Sequence, residues 1–350
     1  MAAALTAELQ NRSLTERLLE VRNLRTIFPV EDGEVKAVDG ISFHLDAGET
    51  LGIVGESGSG KSVTALSIMR LLQSPGRIAS GEILFRGRDL TKLPLSEMEG
   101  IRGEEIAMIF QDPMTSMNPV YKVGWQVGEP LQLHRNMHRG AAHREAVKML
   151  GRVGIPDPAQ RARMYPHEFS GGMRQRAMIA MALTTGPPLL IADEPTTALD
   201  VTIQAQILEL LREINKTFGT ATILITHNLG VVAGMCERVL VMYAGRIVEE
   251  GSADEVFMNP RHPYTWSLLQ SIPRLNADND AELKTIAGQP PDLSNLPTGC
   301  AFHPRCPFAM EKCVRDDPEL TSFGGMHRAA CWMTAAGGDM DSATKGRRPS

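Results

Sequence analysis

The sequence predicts an α/β protein with a buried parallel sheet, a smaller antiparallel sheet and a mainly helical insertion. Three short apolar runs, TLGIV (50–54), PLLIAD (188–193) and ATILIT (221–226), are typical of strands covered on both faces. GISFHLDAGE and GEILFRGRDL alternate apolar and polar residues instead, which indicates half-buried antiparallel strands. Between about 112 and 180 no such strand pattern occurs, so this stretch is predicted to be helical.

Two local patterns predict structural elements in the second half of the chain. RVLVMYAGRIVEEG (238–251) predicts a hairpin that turns at Ala244-Gly245. A helix between the last two buried strands would complete a strand-helix-strand unit. Its apolar face is predicted to carry Ile203, Ile207, Leu210, Leu211 and Ile214.

Composition restricts the class of protein. The chain of 350 residues carries 36 Lys and Arg against 41 Asp and Glu, and its net charge of -5 gives no general attraction for nucleic acid. The first twenty residues lack the basic segment and apolar run of a secretory signal. No run reaches the roughly 18 apolar residues that a membrane span needs. We expect a cytosolic protein that reaches a membrane only through a partner.

A phosphate-binding motif follows the first buried strand directly. GESGSGKS matches G-x-x-x-x-G-K-[ST], and KSVTALSIMRLL continues as a plausible helix. Glycines let backbone amides turn towards phosphate oxygens, Lys61 neutralises the β- and γ-phosphates, and the Ser62 hydroxyl is suited to Mg²⁺. The predicted nucleotide-binding residues of this loop are Gly55, Glu56, Ser57, Gly58, Ser59, Gly60, Lys61 and Ser62.

Four polar residues at predicted strand ends complete the candidate site. Asp193 ends PLLIAD, where its carboxylate can hold Mg²⁺ through water. Glu194 follows and suits a general base for the attacking water. Gln111 ends EEIAMIFQ and His227 ends ATILITH, although in isolation such a histidine is more often structural.

The order of these motifs resembles that of the ATP-binding subunits of ABC transporters. GESGSGKS is similar to the Walker A loop, Gln111 to the Q-loop, FSGGM (169–173) to the signature, LLIADE to the Walker B strand, ALD (198–200) to the D-loop and His227 to the switch histidine. The resemblance implies a P-loop NTPase (RecA-like) core with an antiparallel β subdomain and a helical subdomain. It also implies that each ATP lies between one subunit's Walker A loop and its partner's signature.

Further residue roles rest on this resemblance. The signature residues Ser170, Gly171, Gly172 and Met173 would meet the ATP of a partner subunit, at what the sequence predicts to be a helix N-terminus. Asp200 would act across the dimer interface, and Gln111 would join Ser62 and Asp193 around Mg²⁺. Phe28 would stack on adenine, with a plain core phenylalanine as the alternative. Asn228 follows His227 where the family usually has aspartate.

A narrower resemblance covers residues 19–333. IFQDPMTSMNP, YPHEFSGGMRQR, HPYTWSLL and the cysteine-bearing tail resemble the ATPase subunits of oligopeptide and dipeptide importers. That implies a paralogous ATPase partner, two integral-membrane permease subunits, a separate peptide-binding protein and a peripheral position on the cytoplasmic face of the inner (plasma) membrane. Residues 111–125 would contact the permease through exposed Met114 and Met117. Nickel, glutathione and cell-wall peptide importers, or less closely a soluble ABC-type ATPase, are the alternatives.

Four of the five cysteines are clustered near the C-terminus. Cys300, Cys306, Cys313 and Cys331 are spaced C-x5-C-x6-C-x17-C, which matches neither the close pairs of zinc modules nor the ferredoxin run. The spacing itself therefore selects no metal. The resemblance favours a [4Fe-4S] cluster, with structural zinc as the alternative and unligated thiols after it. We expect the cluster to cross-link the extension rather than to sense redox state, and Cys236 to be a small packed residue.

These patterns divide the chain into four regions. Residues 1–18 are predicted to be a flexible leader, and 19–265 an ABC ATPase domain whose helical subdomain spans about 112–180. Residues 266–335 form the extension with the four cysteines. The last stretch, 336–350, is predicted to be disordered.

Overall fold

The computed structural model describes residues 17–31, 33–112, 116–197, 200–271 and 286–338. Most of the predicted leader and the tail from 339 onwards lie outside the described residues. The first strand begins at Arg17, two residues before the predicted boundary. Residues 336–338 continue the chain as a turn, with φ of 81° at Gly337.

The strands form two sheets. In chain order they are β1 (Arg17–Val30), β2 (Gly33–Asp46), β3 (Thr50–Val54), β4 (Arg77–Phe85), β5 (Arg88–Asp89), β6 (Ile106–Ile109), β7 (Leu189–Asp193), β8 (Ala221–Thr226), β9 (Arg238–Tyr243), β10 (Arg246–Ser252), β11 (Thr321–Ser322) and β12 (Arg328–Ala329). The larger sheet has the order β11-β12-β10-β9-β3-β8-β7-β6, and the smaller one β2-β1-β4-β5. Strands β9, β3, β8, β7 and β6 run parallel, whereas the smaller sheet is antiparallel, as the sequence predicts.

The helices connect the strands and fill the insertion. They are α1 (Lys61–Ile68), α2 (Leu95–Ile101), α3 (Val123–Arg135), α4 (Arg139–Arg152), α5 (Pro158–Arg161), α6 (Gly171–Leu183), α7 (Val201–Phe218), α8 (Leu229–Met235), α9 (Ala253–Met258), α10 (Pro263–Gln270), α11 (Glu311–Arg315) and α12 (Trp332–Ala335). Three of them, α3, α4 and α6, pack on one another in the predicted helical insertion. The helix α7 buries four residues of the predicted apolar face, whereas Ile203 at its start is only partly buried.

The parallel strands separate two hydrophobic cores. Because side chains alternate across a strand, Leu190 and Ala192 of β7 enter the core shared with the helical insertion. Leu189 and Ile191 enter the opposite core, which the antiparallel sheet covers. Strands covered on both faces are mostly apolar, which explains the buried runs in the sequence.

The C-terminal extension is joined to the larger sheet. Strand β12 pairs antiparallel with β10, where Glu249 lies opposite Ala329, and β11 pairs with β12. Phe302 of the extension is buried beside Tyr264 of α10, in the core that the larger sheet shares with the helical insertion. The extension is therefore continuous with the parallel-sheet domain.

Candidate functional site

The glycine-rich loop between β3 and α1 has a backbone that requires glycine. Gly55, Gly58 and Gly60 have φ of 153°, 78° and 101°. A side chain at Gly55 would overlap the carbonyl oxygen of Met242, and one at Gly60 would overlap that of Ala37. These close contacts between glycine backbone and carbonyl oxygens hold the loop at the carboxyl edge of the sheet, with α1 directly behind it.

Lys61 and Ser62 begin α1 and face the end of strand β7. Lys61 is buried, and its Nζ donates to the carbonyl oxygens of Gly55 and Glu56, each at 2.8 Å. Burial lowers the pKa of Lys61. The Ser62 hydroxyl donates to Asp193 Oδ1 at 2.9 Å. A hydroxyl and a carboxylate side by side are suitable oxygen ligands for Mg²⁺.

Asp193 and Glu194 differ in their surroundings. Burial raises the pKa of Asp193, and the bond from Ser62 opposes that rise. Glu194 lies just past the strand with φ of 46°, an unusual conformation for a non-glycine residue. Its carboxylate contacts Thr197, three residues further along the chain, and one residue from each of two other segments, Gln111 and His227.

The Glu194 carboxylate brings the predicted polar residues together. Its Oε2 accepts from Gln111 Nε2 at 3.0 Å and from the Thr197 hydroxyl at 2.9 Å. Its Oε1 lies 3.5 Å from Nδ1 of His227. The His227 side chain is 62% exposed and that of Glu194 only 14%, so the histidine reaches the carboxylate from the solvent side. Thr197 is a residue of this site that the sequence did not predict.

The signature residues form a helix N-terminus on the helical insertion. Ser170 is the N-cap of α6, and its hydroxyl accepts from the Met173 amide at 3.4 Å. A side chain at Gly171 would meet nothing within 4 Å, whereas one at Gly172 would lie 3.0 Å from Ile203. The start of α6 is therefore open at Gly171 and closely packed at Gly172.

The predicted interface residue Asp200 and the residue that departs from the family, Asn228, both cap helices. Asp200 is the N-cap of α7 and accepts from the Ile203 amide at 3.0 Å. Asn228 is the N-cap of α8, and its Oδ1 accepts from the Gly230 amide at 3.0 Å. Both aspartate and asparagine accept such bonds, so the departure from the family at Asn228 leaves the capping role available. Residues 198 and 199 lie outside the described part of the chain.

Phe28 lies half-buried on β1. It pairs with Val35 of β2, and its ring lies against Gly76, where an added side chain would overlap it. The structure thus places Phe28 beside the turn that leads into β4. Its predicted contact with adenine stays a prediction.

The loop between β6 and α3 differs from the prediction at one methionine. Met117 is buried in the core of the helical insertion, so the prediction that it is exposed is wrong. Apolar packing with that core outweighs its place in a polar loop. Val120 and Tyr121 are 70% and 45% exposed instead. Met114 lies outside the described residues.

The four C-terminal cysteines line one small apolar cavity together with Phe302, Phe308 and Trp332. Burial raises the pKa of Cys300 to about 11 and that of Cys306 to about 12, and it raises that of Cys331 as well. In the described ranges, however, no three Cys, His, Asp or Glu side chains lie close enough to hold a metal ion. The predicted metal site is thus not demonstrated by the arrangement of the thiols. Cys236 is buried elsewhere, which confirms it as a packed residue.

Two residues near the glycine-rich loop were missed by sequence reasoning. Arg305, directly after Pro304 in CAFHPRC, forms an ion pair with Glu56 at 2.7 Å. The hydroxyl of Tyr264, in HPYTWSLL, accepts from the Glu56 amide at 2.7 Å. A buried tyrosine usually needs a partner for its hydroxyl, which was the available signal.

Among the helices of the described segments, none combines the length and the apolar character of a membrane span.

The sequence matches two family profiles, ABC transporter over residues 38–197 and oligopeptide/dipeptide transporter, C-terminal region, over residues 248–313. It is 55% identical over 318 residues to the oligopeptide transport ATP-binding protein OppD of Bacillus subtilis (strain 168), covering 91% of this chain and 89% of that protein. It is 56% identical over 317 residues to OppD of Escherichia coli (strain K12), covering 91% of this chain and 93% of that protein.

A solved structure has the same fold. It is the dimeric post-hydrolysis state of the ATP-binding cassette MJ0796 bound to ADP and Pi, which is 26% identical with a TM-score of 0.61 and matches 67% of this chain and 98% of that one. The same family is indicated by the order of the motifs, by the site around Glu194 and by the identity to relatives over most of the chain. The chain therefore belongs to the ABC transporter family of ATP-binding cassettes, with the C-terminal region of the oligopeptide/dipeptide transporters.

Proposed function

We propose that this chain is the ATP-hydrolysing subunit that powers oligopeptide or dipeptide import across the cytoplasmic membrane. The observation that carries the proposal is the Glu194 carboxylate, which lies beside the Ser62–Asp193 pair and contacts Gln111, Thr197 and His227. An acid directly after a buried strand and next to a phosphate loop is the arrangement that positions water for attack on a γ-phosphate.

Each residue has a defined task in this scheme. The loop amides and Lys61 bind the phosphates, while Ser62 and Asp193, with Gln111, would hold Mg²⁺, which neutralises charge on the β- and γ-oxygens when bound. Glu194 accepts the proton of the attacking water. His227 reaches the γ-phosphate from the solvent side, and Phe28 stacks on adenine. Positioning and charge neutralisation supply most of the acceleration.

Catalysis is completed by a partner subunit. The open N-terminus of α6, with Ser170, Gly171, Gly172 and Met173, would bind the γ-phosphate held by a second, paralogous ATP-binding subunit. Asp200 at the start of α7 would act across the same interface. ATP binding then closes the pair and hydrolysis opens it.

The transport partners are assigned by the same proposal. Two permease subunits would contact residues 111–125, where the exposed Val120 and Tyr121 offer apolar surface. A separate peptide-binding protein would deliver the substrate, and the chain would lie at the cytoplasmic face of the inner membrane. We also propose that the chain is divided as predicted, into a leader, an ATPase domain with a helical subdomain, a four-cysteine extension and a tail.

We further propose a [4Fe-4S] cluster on Cys300, Cys306, Cys313 and Cys331, with zinc as the alternative. Their common apolar cavity supports it, because thiolates are the ligands that iron–sulfur clusters use. The lack of three close ligands in the described ranges argues against a single ion more than against a cluster, whose cysteines bind different irons and stand further apart. Iron, sulfide and zinc analysis of protein purified without oxygen decides this. Sulfide-free zinc protein would exclude the cluster, and protein with neither metal would exclude both.

The transport proposal is tested on the assembled complex. A tagged chain should co-purify with two integral-membrane proteins. Proteoliposomes holding that complex, with the peptide-binding protein outside, should take up labelled peptide only when MgATP is enclosed inside, on the side of the ATPase subunits. Sedimentation with ribosomes and never with membranes would refute it. Uptake of Ni²⁺ or glutathione but not of peptides would retain the transporter and change its substrate.

A further inference from the structure

Glu56, the second residue of the phosphate loop, is held from two sides by the C-terminal part of the chain. Its carboxylate accepts from Arg305 in a bidentate manner, Nη1 to Oε2 at 2.7 Å and Nη2 to Oε1 at 2.9 Å. Its backbone amide donates to the Tyr264 hydroxyl at 2.7 Å. A bidentate pair fixes orientation as well as distance. Side chain and backbone of one loop residue are therefore fixed together.

Arg305 is itself a rigid anchor. Its side chain is only 5% exposed, its Nε donates to the Ala287 carbonyl oxygen at 3.0 Å, and its guanidinium lies 5.9 Å and 6.0 Å from the ring centres of Tyr243 and Phe302. The hydrogen bond with Glu56 raises the pKa of Arg305. A guanidinium confined in this way cannot move without disturbing the groups around it.

The anchor belongs to the segment that carries the first cysteines. Arg305 ends the turn His303–Arg305, and Cys306 follows directly. The Cys300 carbonyl oxygen accepts from the His303 amide at 2.9 Å, and the Cys300 amide donates to the Cys313 carbonyl oxygen at 2.9 Å. A change in this segment would displace the guanidinium that holds Glu56.

The phosphate loop and the extension also share a surface. Ser57 and Gly58 line one cavity together with Pro291 and Leu293, so the chain leading to the cysteines lies beside the loop. The contact with Glu56 is thus part of a continuous boundary between the extension and the nucleotide site.

We propose that Arg305 is a positioning residue for the phosphate loop, and that through Glu56 it couples the order of residues 298–306 to nucleotide binding at Gly55–Ser62. A loop that is already held in its binding conformation loses no affinity to a conformational change on binding. By linkage, a nucleotide that binds this loop must stabilise the segment to the same extent. The inference goes beyond the proposed transport function and needs neither a named substrate nor a metal.

The first test is nucleotide affinity of the full-length chain, measured by calorimetry with the non-hydrolysable analogue AMP-PNP and Mg²⁺. Arg305→Ala should raise the Kd at least about fivefold, the lower end of typical coupling. Arg305→Lys should fall between this variant and the unmodified chain, because it keeps the charge and loses the fork. Arg315→Ala is the matched control, since Arg315 is 71% exposed and pairs with Glu311 at 3.2 Å. Its Kd should stay within about twofold of the unmodified chain.

The second test reads the coupling from the other end. AMP-PNP should slow amide hydrogen exchange in residues 298–306 of the unmodified chain, and Arg305→Ala should abolish that slowing. Exchange in 298–306 that ignores AMP-PNP overturns the coupling, whatever the affinities. A folded Arg305→Ala chain with unchanged Kd overturns the positioning role. If Arg305→Ala does not fold, Arg305→Lys and the exchange of the unmodified chain decide.

Discussion

Replacing Glu194 by glutamine removes one negative charge and keeps the length of the side chain. An amide oxygen placed at the present Oε2 position keeps the bonds from Gln111 at 3.0 Å and from Thr197 at 2.9 Å. The new NH₂ group then faces Nδ1 of His227, which lies 3.5 Å from Oε1 now and can accept a hydrogen bond in the tautomer that carries its proton on Nε2. No donor loses its acceptor, so the free energy of unfolding should change by less than about 1 kcal/mol.

The catalytic effect should be much larger. An amide cannot accept the proton of the attacking water, and a positioned general base contributes about 10²- to 10⁴-fold. That range corresponds to about 3–5 kcal/mol of activation free energy. The phosphate ligands in the loop and Lys61 are untouched, so the Kd for MgATP should stay within about threefold.

Phosphate release by the assembled transporter measures the rate, and thermal unfolding of the subunit measures the fold. Thr197→Ser is the matched control, because it keeps the hydroxyl that bonds Glu194. A Glu194→Gln complex that hydrolyses ATP within about threefold of the unmodified one would show that Glu194 is not the base.

Three further predictions concern single contacts. Gly60→Ala should destabilise the chain by about 2–5 kcal/mol in urea unfolding, because its Cβ would overlap the Ala37 carbonyl oxygen at positive φ. Gly58→Ala is the control and should cost only about 1–2 kcal/mol, because its Cβ would meet nothing within 4 Å. Equal costs for the two variants would contradict this explanation. Asp200→Ala should cost about 1 kcal/mol by removing the N-cap of α7, and an unchanged urea midpoint would exclude that cap. Burial raises the pKa of Cys236 to about 12, so iodoacetamide at pH 8 should modify it only after unfolding; mass spectrometry that finds native Cys236 alkylated would refute this.

The elements that sequence reasoning predicted are those whose signal is local. TLGIV, LLIAD and ATILIT are strands because parallel strands are apolar on both faces, and the alternation in β2 and β4 marks a sheet with one covered face. The glycine-rich loop was predicted from spacing, and its φ angles explain why the motif needs glycine at Gly55, Gly58 and Gly60.

What was missed depends on contacts between distant parts of the chain. Arg305 and Glu56 are 249 residues apart, and no pattern in either segment points to the other. Strands β11 and β12 have two residues each, too few for a periodicity to be read. Met117 was predicted to be exposed because the resemblance assigns residues 111–125 to the permease contact, but its side chain packs in the core beside the helical insertion.

The pairing of β12 with β10 gives the extension a protective role as well. Without it, β10 would be an edge strand with free amides and carbonyls, the kind of surface on which chains aggregate. Glu249 of β10 is fully buried and meets His327 at 2.8 Å, so removing the extension would also leave that carboxylate without this partner. A shortened chain that ends after α10 should therefore be lost to misassembly during synthesis, before its ATP site is ever used.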